Sequence, residues 1–203
     1  MGVPNDTAFQ TRVLKAALNL FDTTKGPVLV DFPEDAPVFE SDQSILACPV
    51  NFAPPAEALS EIDALRAAFK AEVAEMRNWY DLAVAKNRRT TFGVSGMELS
   101  ACIDFIGGFL DGTPDNPRSD LALGLVLNLA VDDVKAYYYE AACARPGQEK
   151  PSGRVLNDWF WGETTAGKVL YGVQAACLKS SDPMLNLAGK LLLVPMSHTK
   201  PKK

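Results

Sequence analysis

The chain has 203 residues, of which 47% are hydrophobic and 22% charged, and its formal net charge is −5. This balance predicts a water-soluble globular protein with a core of its own, and the acidic charge argues against sequence-independent nucleic-acid binding. The single histidine, His198, lies near the C-terminus. Its position argues against catalytic triads and histidine-bound metals, because both need a histidine inside the fold.

The first part of the chain combines one helix with an irregular segment. Asp6 is placed to cap a helix that runs to about Phe21, and residues 1–26 form the predicted N-terminal helix region. Five prolines fall within residues 33–55, and proline at this density interrupts helices and strands. Residues 27–55 are therefore predicted to form a Pro-rich extended arm that packs on something, because the segment also carries apolar residues.

Helical periodicity dominates the rest of the chain. Apolar residues recur every three or four positions, which predicts one long helix from about Pro55 to Lys86. Ser95 and Glu98 have the spacing of a capping box for the next helix. Further helices are predicted from Ser119 or Asp120 to about Ala144, over Val155–Leu178, and from Asp182-Pro183 to about Leu193.

Short loops between these helices favour antiparallel packing of neighbours. The predicted fold is mainly α, with five or six antiparallel helices in a bundle and an irregular Pro-rich N-terminal arm. The bundle is expected over residues 56–196, followed by a basic disordered tail over residues 197–203.

The stretch Gly162–Lys168, GETTAGK, has the skeleton of a phosphate-binding P-loop. A P-loop follows a β-strand and has Ser or Thr directly after its lysine, to hold magnesium. Here Val169 follows Lys168, and the apolar spacing runs through the motif at helical period. We therefore expect a continuous helix over Asp158–Leu178, with no phosphate at Lys168 and with Gly162 and Gly167 permitting close helix packing.

A second candidate is the loop KNRRTTFGVSGME, which precedes a predicted helix N-terminus. Free amides and the positive end of a helix attract anions, and an arginine fork binds carboxylate or phosphate. The alternative is a plain helix connection, in which the basic residues stabilise the negative C-terminal end of the preceding helix. The candidate anion-binding residues are Arg88, Arg89, Thr90, Thr91, Ser95 and Gly96, with a small carboxylate as the candidate ligand.

A third candidate is a set of polar residues among aromatic ones. Asp133, Tyr137 and Glu140 share one helical face. A buried hydrogen-bonded network of this kind lines a ligand pocket or satisfies a structural core. The candidate members of this cluster are Arg77, Tyr80, Asp133, Tyr137 and Glu163.

The four cysteines, Cys48, Cys102, Cys143 and Cys177, form no CxxC pair, and no secretory leader follows Met1. They are predicted to be reduced thiols in a cytoplasmic protein. The longest apolar run is too short to cross a bilayer, so no membrane association is expected. The sequence shows no cofactor motif and no metal-ligand spacing, so neither a cofactor nor a metal is predicted.

Three stretches carry a resemblance to a known family. They are GVPNDTAFQTRVLKAALNLFDTTKGPVLVDFPEDAP, RNWYDLAVAKNRRTTFGVSG and DWFWGETTAGKVL. Together they resemble the non-catalytic, C-terminal part of proteins related to component B of the glycine/sarcosine/betaine reductases. The resemblance implies reductive cleavage of a small substrate by a reactive cysteine or selenocysteine. Because this chain has no CxxC and no cofactor motif, it also implies that the reactive residues lie on another polypeptide.

Three functional hypotheses follow. The first is a helical subunit or accessory domain of a cytosolic reductase-type complex, with another protein subunit as its partner and the Pro-rich arm as its docking surface. The second is a self-contained small-molecule-binding protein or enzyme that uses the Arg/Tyr/Asp/Glu cluster. The third is a chaperone-like helical protein that binds a client peptide.

Overall fold

The structure of the chain is a computed structural model that describes residues 6–24, 26, 28–34, 60–145 and 151–199. Within these ranges the protein is mainly helical and has no β-strand, which confirms the predicted all-α class. The helices are α1 (Thr7–Asn19), α2 (Glu61–Asn87), α3 (Leu99–Gly108), α4 (Leu123–Cys143), α5 (Gly153–Glu163), α6 (Thr165–Leu178) and α7 (Pro183–Leu187). A 3₁₀ turn (Leu20–Asp22) follows α1, and a π-helical turn (Ala188–Leu192) follows α7.

Helix α4 is the centre of the core. It packs against α2, α3 and α7 and also contacts α5. Its residues Val126, Leu127 and Val131 are fully buried, and each such side chain contributes about 1.5–3 kcal/mol through the hydrophobic effect. Helix α6 also packs against α2, and its residues Val169 and Val173 are fully buried. The strongly apolar character of the α4 sequence therefore reflects a helix surrounded by other helices.

Several helix ends follow from their capping residues. The side chain of Ser60 accepts a hydrogen bond from the Asp63 amide and begins α2. Asp182 accepts hydrogen bonds from the amides of Met184 and Leu185, with Pro183 in the first turn, as predicted for α7. Arg88 ends α2 in the left-handed conformation, with φ at 53°. The loop to α3 therefore turns away from the α2 axis at Arg88.

The predicted capping box at Ser95 and Glu98 does not form. Glu98 itself is the N-cap residue of α3 and its side chain makes no capping hydrogen bond. Ser95 is buried, and its hydroxyl donates to Asp133 of α4. A carboxylate from a distant part of the chain thus competes successfully for the side chain that local spacing assigned to a helix end.

Helix α4 also begins later than predicted, at Leu123 instead of Ser119 or Asp120. The preceding residues form a turn of their own. The Asn116 side chain donates to the Leu121 carbonyl oxygen at 2.7 Å, and Arg118 pairs with Asp120. These side-chain contacts hold residues 116–121 outside the helix.

The predicted continuous helix over Asp158–Leu178 is wrong, because the chain breaks at Thr164. This residue is extended, with φ −82° and ψ 153°, and separates α5 from α6. Its hydroxyl donates to the Phe160 carbonyl oxygen at 2.6 Å and accepts from the Gly167 amide at 3.0 Å. Thr164 therefore ends one helix and caps the next, which apolar periodicity alone does not reveal.

The two glycines of the P-loop-like stretch have different roles. A Cβ built on Gly167 would overlap the Phe160 carbonyl oxygen, so this glycine permits the close approach of α5 and α6, as predicted. A Cβ on Gly162 would meet nothing within 4 Å, and Gly162 is exposed. The predicted packing role of Gly162 is therefore wrong.

Helix α1 presents most of its apolar face to solvent. Of the residues on that face only Phe9 is buried, in an edge-to-face contact with Phe32 at 5.8 Å between ring centroids. Leu18 is exposed, Phe21 is 85% exposed, and Leu29 in the following extended segment is 98% exposed. We call the surface formed by Leu14, Leu18, Phe21 and residues 28–30 the α1 apolar surface.

Candidate functional site

The loop between α2 and α3 binds a carboxylate of the protein itself. The amides of Gly93 and Val94 donate to one oxygen of Asp133 at 2.7 and 2.9 Å, and the Ser95 amide donates to the other at 3.0 Å. Gly93 has φ at 114°, a conformation that turns successive amides toward one point. Asp133 is fully buried, so this anion-binding loop holds an internal anion.

A second carboxylate of α4 fixes the start of the same loop. The amide and the hydroxyl of Thr91 both donate to Glu140 Oε1 at 2.7 Å. The Thr90 hydroxyl hydrogen-bonds the Tyr80 hydroxyl at 2.9 Å and accepts from the Phe92 amide. Asp133 and Glu140 lie on one face of α4, as their helical spacing predicted. That spacing therefore indicated which two carboxylates of α4 make these contacts.

These contacts change the interpretation of the predicted anion site. Thr90, Thr91 and Ser95 use their polar groups within the protein, and the Gly96 amide donates to the Gly93 carbonyl oxygen. The amides expected to be free near Ser95 and Gly96 are therefore occupied. Arg88 and Arg89 are exposed. An anion from solution can therefore contact their side chains, but not the loop amides, which bind Asp133.

The predicted polar cluster divides into separate parts. The rings of Tyr80 and Tyr137 lie 4.6 Å apart, and the Tyr137 hydroxyl donates to the Val73 carbonyl oxygen at 2.7 Å. Arg77 is an exposed side chain that pairs with Asp81 at 3.0 Å. The remaining two predicted members lie elsewhere: Asp133 binds the loop described above, and Glu163 is exposed at the end of α5.

A buried carboxylate that the sequence pattern did not single out lies on α2. Glu72 accepts hydrogen bonds from the amides of Thr165 and Ala166 at 3.0 and 3.1 Å, and from the Tyr138 hydroxyl at 2.8 Å. Burial is the first cause, and Glu72 the second, of a pKa of Tyr138 well above its usual value. The sequence held one signal for this site. Glu72 is an acidic residue directly before Val73, which belongs to the apolar stripe of α2.

Glu72 explains the P-loop-like stretch. The first amides of α6 do bind an anion, as amides at a helix N-terminus do. That anion is the side chain of Glu72, buried between α2 and α6. Lys168 is exposed on α6, so the amides that a nucleotide phosphate needs at this motif are already used by the fold.

A groove of about 540 Å³ runs between α2 and α3. Its apolar lining comes from Val73 of α2, Leu99 and Ile103 of α3, and Tyr137 of α4. Lys70 and Asp104 form an ion pair across it at 2.6 Å. Because it contains an apolar floor, charged walls and a volume within the range of small-molecule sites, this groove is the candidate binding site of the described residues.

Two polar side chains of the groove have no partner among the described residues. They are Glu98, directly before α3, and Ser100 in its first turn. The two cations of the groove, Lys70 and Arg77, are each paired with an aspartate. The groove therefore offers an unpaired carboxylate beside an apolar floor.

The described cysteines are poor nucleophiles. Burial raises the pKa of Cys102, of Cys143 and of Cys177, the last to about 11. The thiolate is the reactive form of cysteine, and a raised pKa keeps the thiol protonated. The Cys102 sulfur lies 3.4 Å from the Ser95 hydroxyl oxygen, which places it in the core behind the loop. Cys48 lies outside the described residues.

We expect the protein to lose stability as the pH rises from about 9 to about 12. Burial raises the pKa of Cys177 from 9.0 to about 11, and those of Tyr137 and Tyr139 from 10.0 to about 12. In this window the unfolded chain releases protons that the folded chain retains, so unfolding becomes more favourable with rising pH. Urea denaturation midpoints measured from pH 7 to 12 check this. Cys177→Ala should show a shallower fall between pH 9 and 11, and a constant midpoint in the wild type would contradict the prediction.

The described residues contain neither a metal-binding cluster nor a helix that could span a membrane. No group of three or more His, Cys, Asp and Glu side chains among them is placed to hold a metal ion. Over the same ranges, none of the helices combines the length and the apolar character that crossing a membrane requires.

Comparison of the chain with protein-family models, curated proteins and solved structures finds no match in any of the three.

Proposed function

We propose that the chain is a protein-binding helical subunit of a reductase-type complex, with the catalytic residues on a partner chain. The observation that carries this proposal is the α1 apolar surface. Large apolar side chains concentrated on one exposed surface are typical of protein-binding sites. Each leucine or phenylalanine that a partner covers contributes about 1.5–3 kcal/mol to association.

Two contacts link α1 to the segment that follows it. Arg12 binds Glu34 through two hydrogen bonds from Nε and one of 2.7 Å from Nη2. With the Phe9–Phe32 contact, this ion pair folds residues 31–34 back onto α1. A surface ordered in advance loses less conformational entropy on binding. The arrangement supports docking through α1 and residues 28–34, which are the first part of the arm predicted over residues 27–55. Residues 35–55 of that arm lie outside the described residues.

The reductase part of the proposal rests on the resemblance of the three sequence stretches. The state of the cysteines is compatible with it, since Cys102 and Cys177 are buried, Cys143 is half-buried, and all three have raised pKa values. Among the described residues, no thiol therefore favours cysteine redox chemistry, which fits a subunit whose partner supplies the reactive residue. The product of the neighbouring gene is the first partner to examine.

The test uses the full chain and two variants with the same change in net charge. Leu18→Glu/Phe21→Glu places two carboxylates on the α1 apolar surface, and Lys15→Glu alters the charge by the same amount at another exposed position of α1. Light scattering after size exclusion and fluorescence of an apolar dye measure self-association and exposed apolar area. We expect dye binding and concentration-dependent association in the wild type and in Lys15→Glu, and a loss of both in the double variant.

Mixing with the product of the neighbouring gene gives a second measurement. The double variant should weaken the complex by at least about tenfold, because two apolar anchors are removed from the interface. Lys15→Glu should bind as the wild type does. A wild-type chain that is monomeric and binds no dye, or a complex that both variants form equally well, would show that the α1 apolar surface is not a docking site.

A further inference from the structure

The groove between α2 and α3 has an uneven charge balance. Its cations are Lys70 and Arg77, and both belong to α2. Lys70 is paired with Asp104 across the groove and Arg77 with Asp81 on its own helix. Counting these partners together with Glu98 gives two cations and three carboxylates, so the described residues leave the groove with one unpaired negative charge.

The described residues around the groove do not neutralise this charge. Arg118 reaches the loop before α3 and donates to the Ser95 carbonyl oxygen, but its guanidinium is paired with Asp120. Arg66, beyond Lys70 on α2, contacts both Asp63 and Asp111. The chain as a whole has a net charge of −5. Long-range and local electrostatics therefore both favour a cation at this groove.

Glu98 is available to a ligand because its carboxylate has no partner among the described residues. It precedes α3, yet it makes no side-chain hydrogen bond to the helix amides. The structural role of this residue belongs to its backbone oxygen, which accepts from the Cys102 amide at 3.0 Å. Next to it, Leu99, Ile103 and Val73 supply an apolar surface. The groove can therefore accommodate a ligand whose charged group lies next to an apolar body.

We propose that this groove binds an amphipathic organic cation, whose ammonium group lies at Glu98 and whose apolar body lies over Val73, Leu99 and Ile103. The volume of about 540 Å³ is within the range of small-molecule pockets. Because the groove is open to solvent, the ion pair adds little affinity, and discrimination by charge is modest. This site is independent of the α1 apolar surface and of the protein partner proposed for it.

The experiment compares three probes of similar shape by two-dimensional amide NMR titration of the full chain at pH 7. The probes are 2-phenylethylammonium, neutral 2-phenylethanol and anionic 3-phenylpropionate. We expect the ammonium probe to bind about threefold to fivefold more tightly than the alcohol, in line with a solvent-exposed ion pair. The acid should bind most weakly, and the shifted amides should be those of residues 70–77 and 98–104.

Two variants with the same change in charge locate the interaction. Glu98→Gln should lower the affinity of the ammonium probe to that of the alcohol, while the affinity of the alcohol stays the same. Glu75→Gln changes an exposed carboxylate of α2 outside the groove and should have no effect. Raising the salt from 50 to 500 mM should remove most of the difference between the ammonium and the alcohol, because salt screens exposed charges.

Binding of an organic cation at Glu98 is contradicted if the ammonium probe binds no more tightly than the alcohol or if Glu98→Gln retains the wild-type preference. It is also contradicted if the shifts centre on another part of the molecule. Absence of any shift at probe concentrations of tens of millimolar also overturns it. The backbone contact of Glu98 is preserved in the glutamine variant, so unchanged amide spectra of the free protein verify that α3 is intact.

Discussion

Replacing Glu72 by alanine is expected to lower the free energy of unfolding by about 3 kcal/mol. The substitution removes the acceptor of three buried donors, which are the amides of Thr165 and Ala166 and the hydroxyl of Tyr138. A buried donor left without a partner costs about 1–3 kcal/mol. Loss of the carboxylate also removes the negative charge that stabilises the N-terminus of α6. Urea denaturation of the full chain measures the change.

Two further variants separate this effect from a general change in charge. Glu75→Ala removes a carboxylate from an exposed position of the same helix and should alter stability by less than about 0.5 kcal/mol. Glu72→Gln keeps one acceptor oxygen and should give an intermediate loss. If Glu72→Ala and Glu75→Ala have the same stability, Glu72 does not hold α2 and α6 together.

Gly167→Ala should destabilise the protein by about 3 kcal/mol, although alanine is the better helix former. Its Cβ would overlap the Phe160 carbonyl oxygen and lie 3.2 Å from Trp161 Cα, and both obstacles are backbone atoms. Backbone of a helix end moves less readily than a side chain, so α5 and α6 must separate. Overpacking of this kind costs about 1–3 kcal/mol, and occasionally more. The denaturation midpoint and the near-ultraviolet circular dichroism of the adjacent tryptophans report the change.

Gly162→Ala is the matched control, five residues earlier in the same stretch. Its Cβ would lie in open space, and alanine is favoured over glycine in a helix by up to about 1 kcal/mol. Gly162 is in the last turn of α5, so we expect a gain below that limit. A stability loss of similar size in both variants would contradict the assignment of the close contact to Gly167 alone.

The sequence predicted where some buried carboxylates lie, but not which groups they bind. The grouping of Asp133, Tyr137 and Glu140 on one face of α4 was predictable, because helical period places residues three and four apart side by side. Their partners were not predictable, since the amides of Thr91 and residues 93–95 come from a loop about 40–50 positions away in the chain. Likewise, no local rule states that Glu72 binds amides more than 90 residues later.

The interruption at Thr164 has a similar cause. Apolar residues recur at helical spacing both before and after Thr164. This spacing shows which residues face the core, but it does not show whether the helix backbone is continuous. The hydroxyl of Thr164 and the approach allowed by Gly167 become decisive only once α5 and α6 pack together. The same limit applied at Ser95, where the carboxylate of Asp133 outweighed local capping.

By itself, the sequence determined the all-α class and most of the helices, because periodicity, capping residues and prolines act over a few neighbouring positions. It also determined the acidic charge and the lack of a strand before the P-loop-like stretch. Tertiary structure alone decided which groups remain available. It placed Asp133 and Glu72 on the amides that otherwise attract anions. In the described part of the chain it left Glu98 unpaired in a groove and the apolar face of α1 exposed. The physical reason is that hydrogen bonds and apolar burial are satisfied by contacts between distant segments, which sequence spacing does not record.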